Sequence, residues 1–181
     1  EEVANEYLLT GTLSENKTLD ASHIWTLEGR VIVPSGVTLT IPAGTIIKAT
    51  AGTGANASSL VIARGGMINA EGTASAPIIM TSTSDDIAVG QTSGSSLTEN
   101  VRGLWGGLLV LGNAPCSFSG DVSELQIEGI PASETNGLYG GSDPADNSGV
   151  LRYVSIRHGG AEIGEGNEIN GLTPVSYTHL T

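Results

Sequence analysis

The sequence predicts an all-β chain whose short strands wind into the coils of a parallel β-helix, a solenoid. Three observations lead there. Helical periodicity is almost absent over the 181 residues. Apolar runs rich in β-branched residues alternate with Gly, Ser, Thr, Asn and Pro turns from about residue 24 onward. One strand-and-turn segment also recurs at a fixed offset. The composition agrees: with 26 glycines and only 4% aromatic residues, the chain suits a thin aliphatic interior with glycine corners better than a compact globule.

The strand candidates in order are Arg30-Val31-Ile32-Val33, Val37-Thr38-Leu39-Thr40-Ile41, Leu60-Val61-Ile62, Pro77-Ile78-Ile79-Met80, Leu108-Leu109-Val110-Leu111 and Val150 to Ile156. When residues 37–49 are written above 58–70, Leu39 falls on Leu60, Ile41 on Ile62, Gly44 on Gly65, Ile47 on Ile68 and Ala49 on Ala70. The offset is 21 residues, close to the length of one solenoid turn. Leu39 and Ile41 are two apart and share a strand face. The expectation is that they stack on Leu60 and Ile62 one turn away, each burial contributing about 1.5–3 kcal/mol. Gly44 and Gly65 are assigned to corners, where a positive φ costs glycine little. Residues 82–100 and 117–148 are polar and turn-rich and read as loop excursions, and residues 1–23 as a lead-in or cap.

Charge and cysteine content exclude several function classes. The balance of 7 basic against 19 acidic residues, formally −12, argues against nucleic acid, whose binding rests on Lys and Arg contacts to phosphate. It argues equally against an anionic membrane surface. The single cysteine, Cys116, rules out an internal disulfide and a CxxC zinc site and reads as a small buried or half-buried residue. No apolar run approaches the roughly 18 residues of a transmembrane helix. The opening Glu1-Glu2-Val3-Ala4 reads as the start of a mature or trimmed chain, so export is inferred and not read from a leader.

Several motifs carry a family resemblance. Residues 24–33 (IWTLEGRVIV) with 36–48 (GVTLTIPAGTIIK) resemble the opening of a family of secreted Gram-negative right-handed parallel β-helix proteins. Residues 70–74 with 77–82, Trp105-Gly106-Gly107-Leu108, residues 146–154 and residues 167–172 are similar to its later motifs. The resemblance spans residues 7–173. It implies a right-handed parallel β-helix over 24–173 in an exported, cell-surface or outer-membrane-associated protein of unassigned activity. The ending Pro174 to Thr181 departs from the pattern and resembles translated sequencing-adapter read-through. Residues 174–181 are therefore expected to be a non-native tail on a solenoid cut near residue 173.

Candidate sites are sparse, and no catalytic residue or cofactor is assigned. Asp143, Asp146 and Asn147 could offer oxygens to a calcium ion, which takes six to eight, although such a cluster is also ordinary turn chemistry. Trp25 and Trp105, if exposed, could stack on sugar rings. Glu162, Glu165 and Glu168, with Arg152 or Arg157, are the residue types of sugar acid/base chemistry but read as solvated edge residues. His158 stands without a paired nucleophile motif, and no GxSxG, HExxH or P-loop pattern is present.

The reading that follows is a non-enzymatic extracellular or cell-surface scaffold or adhesion module, with polysaccharide or other surface proteins as partners. The alternative is a polysaccharide-binding or polysaccharide-degrading β-helix, which rests on fold analogy. Convergent carboxylates and Arg beside exposed tryptophans would favour the alternative.

Overall fold

A computed structural model of the chain describes residues 6–120, 122–164, 167–176 and 179–180. Its strands wind as a right-handed parallel β-helix, with each coil passing through three faces in the same order. The first coil holds β1 (Leu8–Thr12) and β2 (Lys17–Thr18). In the second, β3 (Ile24–Val33) crosses two faces as one long strand, bending at Gly29 with φ +64°, and β4 (Thr38–Pro42) forms the third. The third coil is β5 (Ile46–Ala49), β6 (Ser59–Ile62) and β7 (Met67–Glu71). The fourth is β8 (Ile78–Ser82), β9 (Gly107–Leu111) and, after a hairpin of β10 (Leu125–Gln126) and β11 (Leu138–Tyr139), β12 (Asn147–Arg152). The fifth opens with β13 (Val154–Ile156), carries a hairpin of β14 (Glu162–Gly164) and β15 (Asn167–Glu168), and continues as β16 (Leu172–Val175) and β17 (His179–Leu180).

Every coil-to-coil pairing among these strands is parallel. The first face stacks the start of β3 on β5, β8 and β13. The second stacks the end of β3 on β6, β9 and β16. The third stacks β2, β4, β7, β12 and β17. Alternation along each strand sends every second residue inward, and in-register pairing aligns those residues into columns. Trp25, Ile47 and Met80 form one column, Val31, Leu60 and Leu108 a second, and Leu39 and Ile68 a third. All three columns belong to one buried core.

The register corrects the expected stacking. Leu39 and Ile41 lie over Ile68 and Ala70, not over Leu60 and Ile62, which lie instead against Val31 and Val33. The 21-residue similarity matches a strand–glycine corner–strand unit, and that unit occurs at two different corners of the coil. Gly44 and Gly65 do turn corners, with φ +80° and +75°, but Gly65 stacks on Gly36, whose amide donates to its carbonyl at 2.9 Å. Between coils the true spacing varies with the length of the connections. Ile24 pairs with Ile46, Leu39 with Ile68 and Ile46 with Ile79, so no single period runs through the sequence.

Two of the faces are also apolar on the outside, which the loops cover. On the second face the outward Ile32, Val61 and Leu109 pack with Ile127 and Ile130 of the 112–146 excursion and with Ile169. On the first, outward Ile46 and Ile79 pack with Ile87 of the 83–106 excursion. The third face carries Thr38, Thr40, Asn69 and Glu71 on its outside, partly or fully exposed, with no such apolar layer. The 50–58, 83–106 and 157–171 connections all leave from the corner between the first and second faces. Three connections thus share one edge of the stack, while the 112–146 excursion leaves from the corner between the second and third faces.

Candidate functional site

A polar region lined by buried and charged side chains lies on the outside of the first face, under the 83–106 excursion. Thr26, Lys48 and Thr81 are in register there, and Arg157 follows β13 with its amide bonded to the Met80 carbonyl at 2.9 Å. Asp85 leaves β8 and folds back over this row. Only 4% exposed, it accepts from Thr81 Oγ1 at 2.9 Å and from the Ile87 amide at 3.0 Å, while its backbone carbonyl accepts from Lys48 Nζ at 2.7 Å. A buried carboxylate needs such donors to offset its lost hydration.

Asp86 organises the rest of the loop. Its Oδ1 accepts from the amides of Ser95 and Ser96 at 2.6 and 3.1 Å, and its Oδ2 from Ser95 Oγ at 2.6 Å. These bonds, that from the Ser95 hydroxyl foremost, hold its carboxyl at about 2, down from the usual 3.8. Gly94 runs so close to both aspartates that a Cβ there would strike their carboxylate oxygens, so only glycine lets the loop close on them.

The upper wall comes from the fifth coil. Arg157 donates through Nε to Ser155 Oγ at 2.9 Å and through Nη2 to the Thr92 carbonyl at 2.8 Å. His158 holds a left-handed backbone, φ +58°, uncommon for a residue with a side chain. Its Nδ1 lies 2.7 Å from the Val101 carbonyl. A carbonyl only accepts, so Nδ1 carries the proton and Nε2 of the neutral ring is left as an acceptor. Between loop and coil lies a cavity of about 410 Å³, with Leu97, Val101 and Ile156 as its apolar surface and Asp85, Glu99, Arg157 and His158 among its polar groups.

The tryptophans do not line this cavity, and the exposure that a sugar contact would require of them is absent. Trp25 and Trp105 are 4% and 1% exposed, which leaves no ring face for a ligand. Trp25 sits in the inner column, its Nε1 donating to the Asp20 carbonyl at 3.0 Å. Trp105 leads into β9, its Nε1 donating to the Arg157 carbonyl at 2.7 Å. Each indole buries its ring and keeps its N–H paired, as buried tryptophans do.

Each calcium candidate commits one side-chain oxygen to its own turn. Asp143 Oδ1 accepts from the Ala145 amide and Asn147 Oδ1 from the Gly149 amide, both at 2.9 Å, and Asp146 Oδ2 from Ser148 Oγ at 3.3 Å. Each bond reaches two residues ahead, the pattern of a side chain bracing its own turn. Among the described residues no three His, Cys, Asp or Glu side chains gather as a metal set. Arg152 meets Glu71 across a solvent-facing 3.4 Å on the third face, whereas Arg157 follows β13 on the first. Glu162 pairs with Glu168 through the β14–β15 backbone, and Glu165 lies outside the described residues. Cys116 is half-buried, its Sγ 3.1 Å from Ser176 Oγ.

A family model described as a pectate-lyase-like beta helix domain matches residues 11–176. The chain belongs to that β-helix family. No curated protein and no solved structure matches it. Among the described residues of this β-helix domain, no helix is long and apolar enough to cross a membrane.

Sequence reasoning named Arg157 and His158 singly and missed Asp85, Glu99 and Leu97, which complete the cavity. Those residues sit in a stretch that reads as an ordinary polar loop. The one local signal was Asp85-Asp86 preceding Gly94-Ser95-Ser96, a carboxylate pair followed by small donors.

Proposed function

We propose that this β-helix domain is a non-enzymatic scaffold or adhesion module at the outer surface of a Gram-negative cell, carrying its binding surface on the loop-bearing edge. The supporting observation is how four of its seven basic side chains are used. Arg30 donates to the Gly129 carbonyl at 3.4 Å, Lys48 to Asp85, Arg157 to Thr92, and Arg64 both to Glu124 Oε2 at 2.6 Å and to the Gly140 carbonyl at 2.8 Å. A lyase acting on an acidic polymer uses such cations to bind carboxylates and to take up a proton. Here they fasten excursions to the coils, which suits display of loops on a stiff rod. The acidic balance of 19 against 7 also repels a polyanionic substrate.

The test is turnover. The purified chain, incubated with polygalacturonate and with neutral plant and bacterial polysaccharides in the presence of calcium, is expected to produce neither unsaturated uronides nor new reducing ends above buffer. Depolymerisation that disappears in Arg157→Ala would overturn the scaffold reading in favour of a polysaccharide-degrading enzyme.

A further inference from the structure

The cavity under the 83–106 excursion has a chemistry the scaffold reading leaves unused. We propose that it binds a single uncharged pyranose unit, such as the exposed end of a neutral surface glycan. This rests on the adhesion reading and deepens it by naming the ligand.

Volume comes first. About 410 Å³ lies near the lower end of the roughly 300–1,000 Å³ typical of small-molecule sites, room for a sugar unit. The surface is of two kinds. Leu97, Val101 and Ile156 offer an apolar patch to the C–H face of a ring. The polar groups lining the same space include the Glu99 carboxylate, the Ser93 and Thr98 hydroxyls and, with Nδ1 committed to Val101, the Nε2 lone pair of His158, while the Asp85 carboxylate beside them gives its oxygens to Thr81 and Ile87. Arg157 supplies donors but already spends Nε and Nη2 on Ser155 and Thr92. A site rich in acceptors calls for a ligand rich in O–H donors. The same carboxylates disfavour a uronate, whose charge would lie beside theirs with one partly committed guanidinium to offset it.

Preorganisation supports a binding role. Asp85 is buried and doubly bonded, Gly94 closes the loop on it, and His158 is held in a strained backbone conformation by a 2.7 Å bond. Strained conformers held by their surroundings recur at ligand clamps, and a rigid site loses less entropy on binding.

The experiment titrates the whole chain with methyl glycosides of glucose, galactose and mannose, and separately with galacturonate, followed by ligand-observed NMR and calorimetry. At least one neutral glycoside is expected to bind with a millimolar Kd, the range open to so small a ligand, and galacturonate at least tenfold more weakly. Glu99→Gln, a change at an exposed position, is expected to weaken the neutral sugar about fivefold and to narrow the gap to galacturonate. Leu97→Trp is expected to fill the cavity and abolish binding. The proposal is overturned if no neutral glycoside binds, if galacturonate binds as well as the neutral sugars, or if both variants, folded by circular dichroism, bind like the parent. Absence of binding without turnover removes this inference and leaves the scaffold. Turnover removes the scaffold itself.

Discussion

At the scale of single residues, the structure turns ordinary polar side chains into fasteners. Asp86 is the clearest case. Its charged form is favoured by the Ser95 hydroxyl and the Ser95 and Ser96 amides, which lower its titration from 3.8 to about 2. A carboxyl whose folded value is depressed contributes stability above its unfolded value and loses it as pH falls through the folded one. The loop tether is therefore fully present above pH 3.8 and lost on descent toward about 2. Amide-exchange protection factors at Ser95 and Ser96 are expected to stay level from neutral pH to about 4 and then decline. In Asp86→Asn they are expected to be low throughout and indifferent to pH, and a pH-dependent loss surviving in that variant would assign it to another group. Asp20 repeats the device on a smaller scale, lowered by the Ser22 hydroxyl and then by His23. Little of this was legible in the sequence. Asp85 and Arg157 are brought together by coil stacking and share no local motif, so the cavity has no signature that a window of neighbouring residues contains.

At the scale of elements, the strand–glycine corner–strand unit is what the sequence displays most clearly, and its glycines differ in what they must do. Gly36 holds φ +80° with nothing within 4 Å of where a Cβ would stand, whereas Gly149 holds φ +116° with a Cβ position driven into the Ile68 backbone. Gly36→Ala should cost only the left-handed backbone penalty, about 1–2 kcal/mol. Gly149→Ala adds a collision between neighbouring coils and should cost more than about 3 kcal/mol or prevent folding. Urea unfolding of the two variants checks the order, and equal losses would mean that coil contact at β12 is looser than it stands here. Strand positions and corner glycines were readable because alternation and φ preference are local. The 21-residue match misled for the same reason: two corners that need the same backbone turn select similar residues, whichever faces they join.

At the scale of the molecule, stability rests on the inner columns of the three faces, with loops adding a second apolar layer outside two faces. Leu39 is enclosed in the inner core and Ile127 belongs to the outer layer. Leu39→Ala is expected to lower the unfolding free energy by about 2–5 kcal/mol. Ile127→Ala is expected to cause a smaller global loss, with faster amide exchange confined to the 112–146 excursion. A Leu39→Ala protein with an unmoved urea midpoint would contradict the column account. The sequence by itself determined the all-β character, the solenoid and the glycine corners, because these follow from residue-by-residue preferences for strand and turn. Tertiary structure alone decided which strand lies on which, since connections of unequal length shift the spacing from coil to coil. It also decided that the tryptophans are buried and that Asp85, Glu99, Arg157 and His158 share one cavity, because only the winding of the coils sets residues so far apart in the chain side by side.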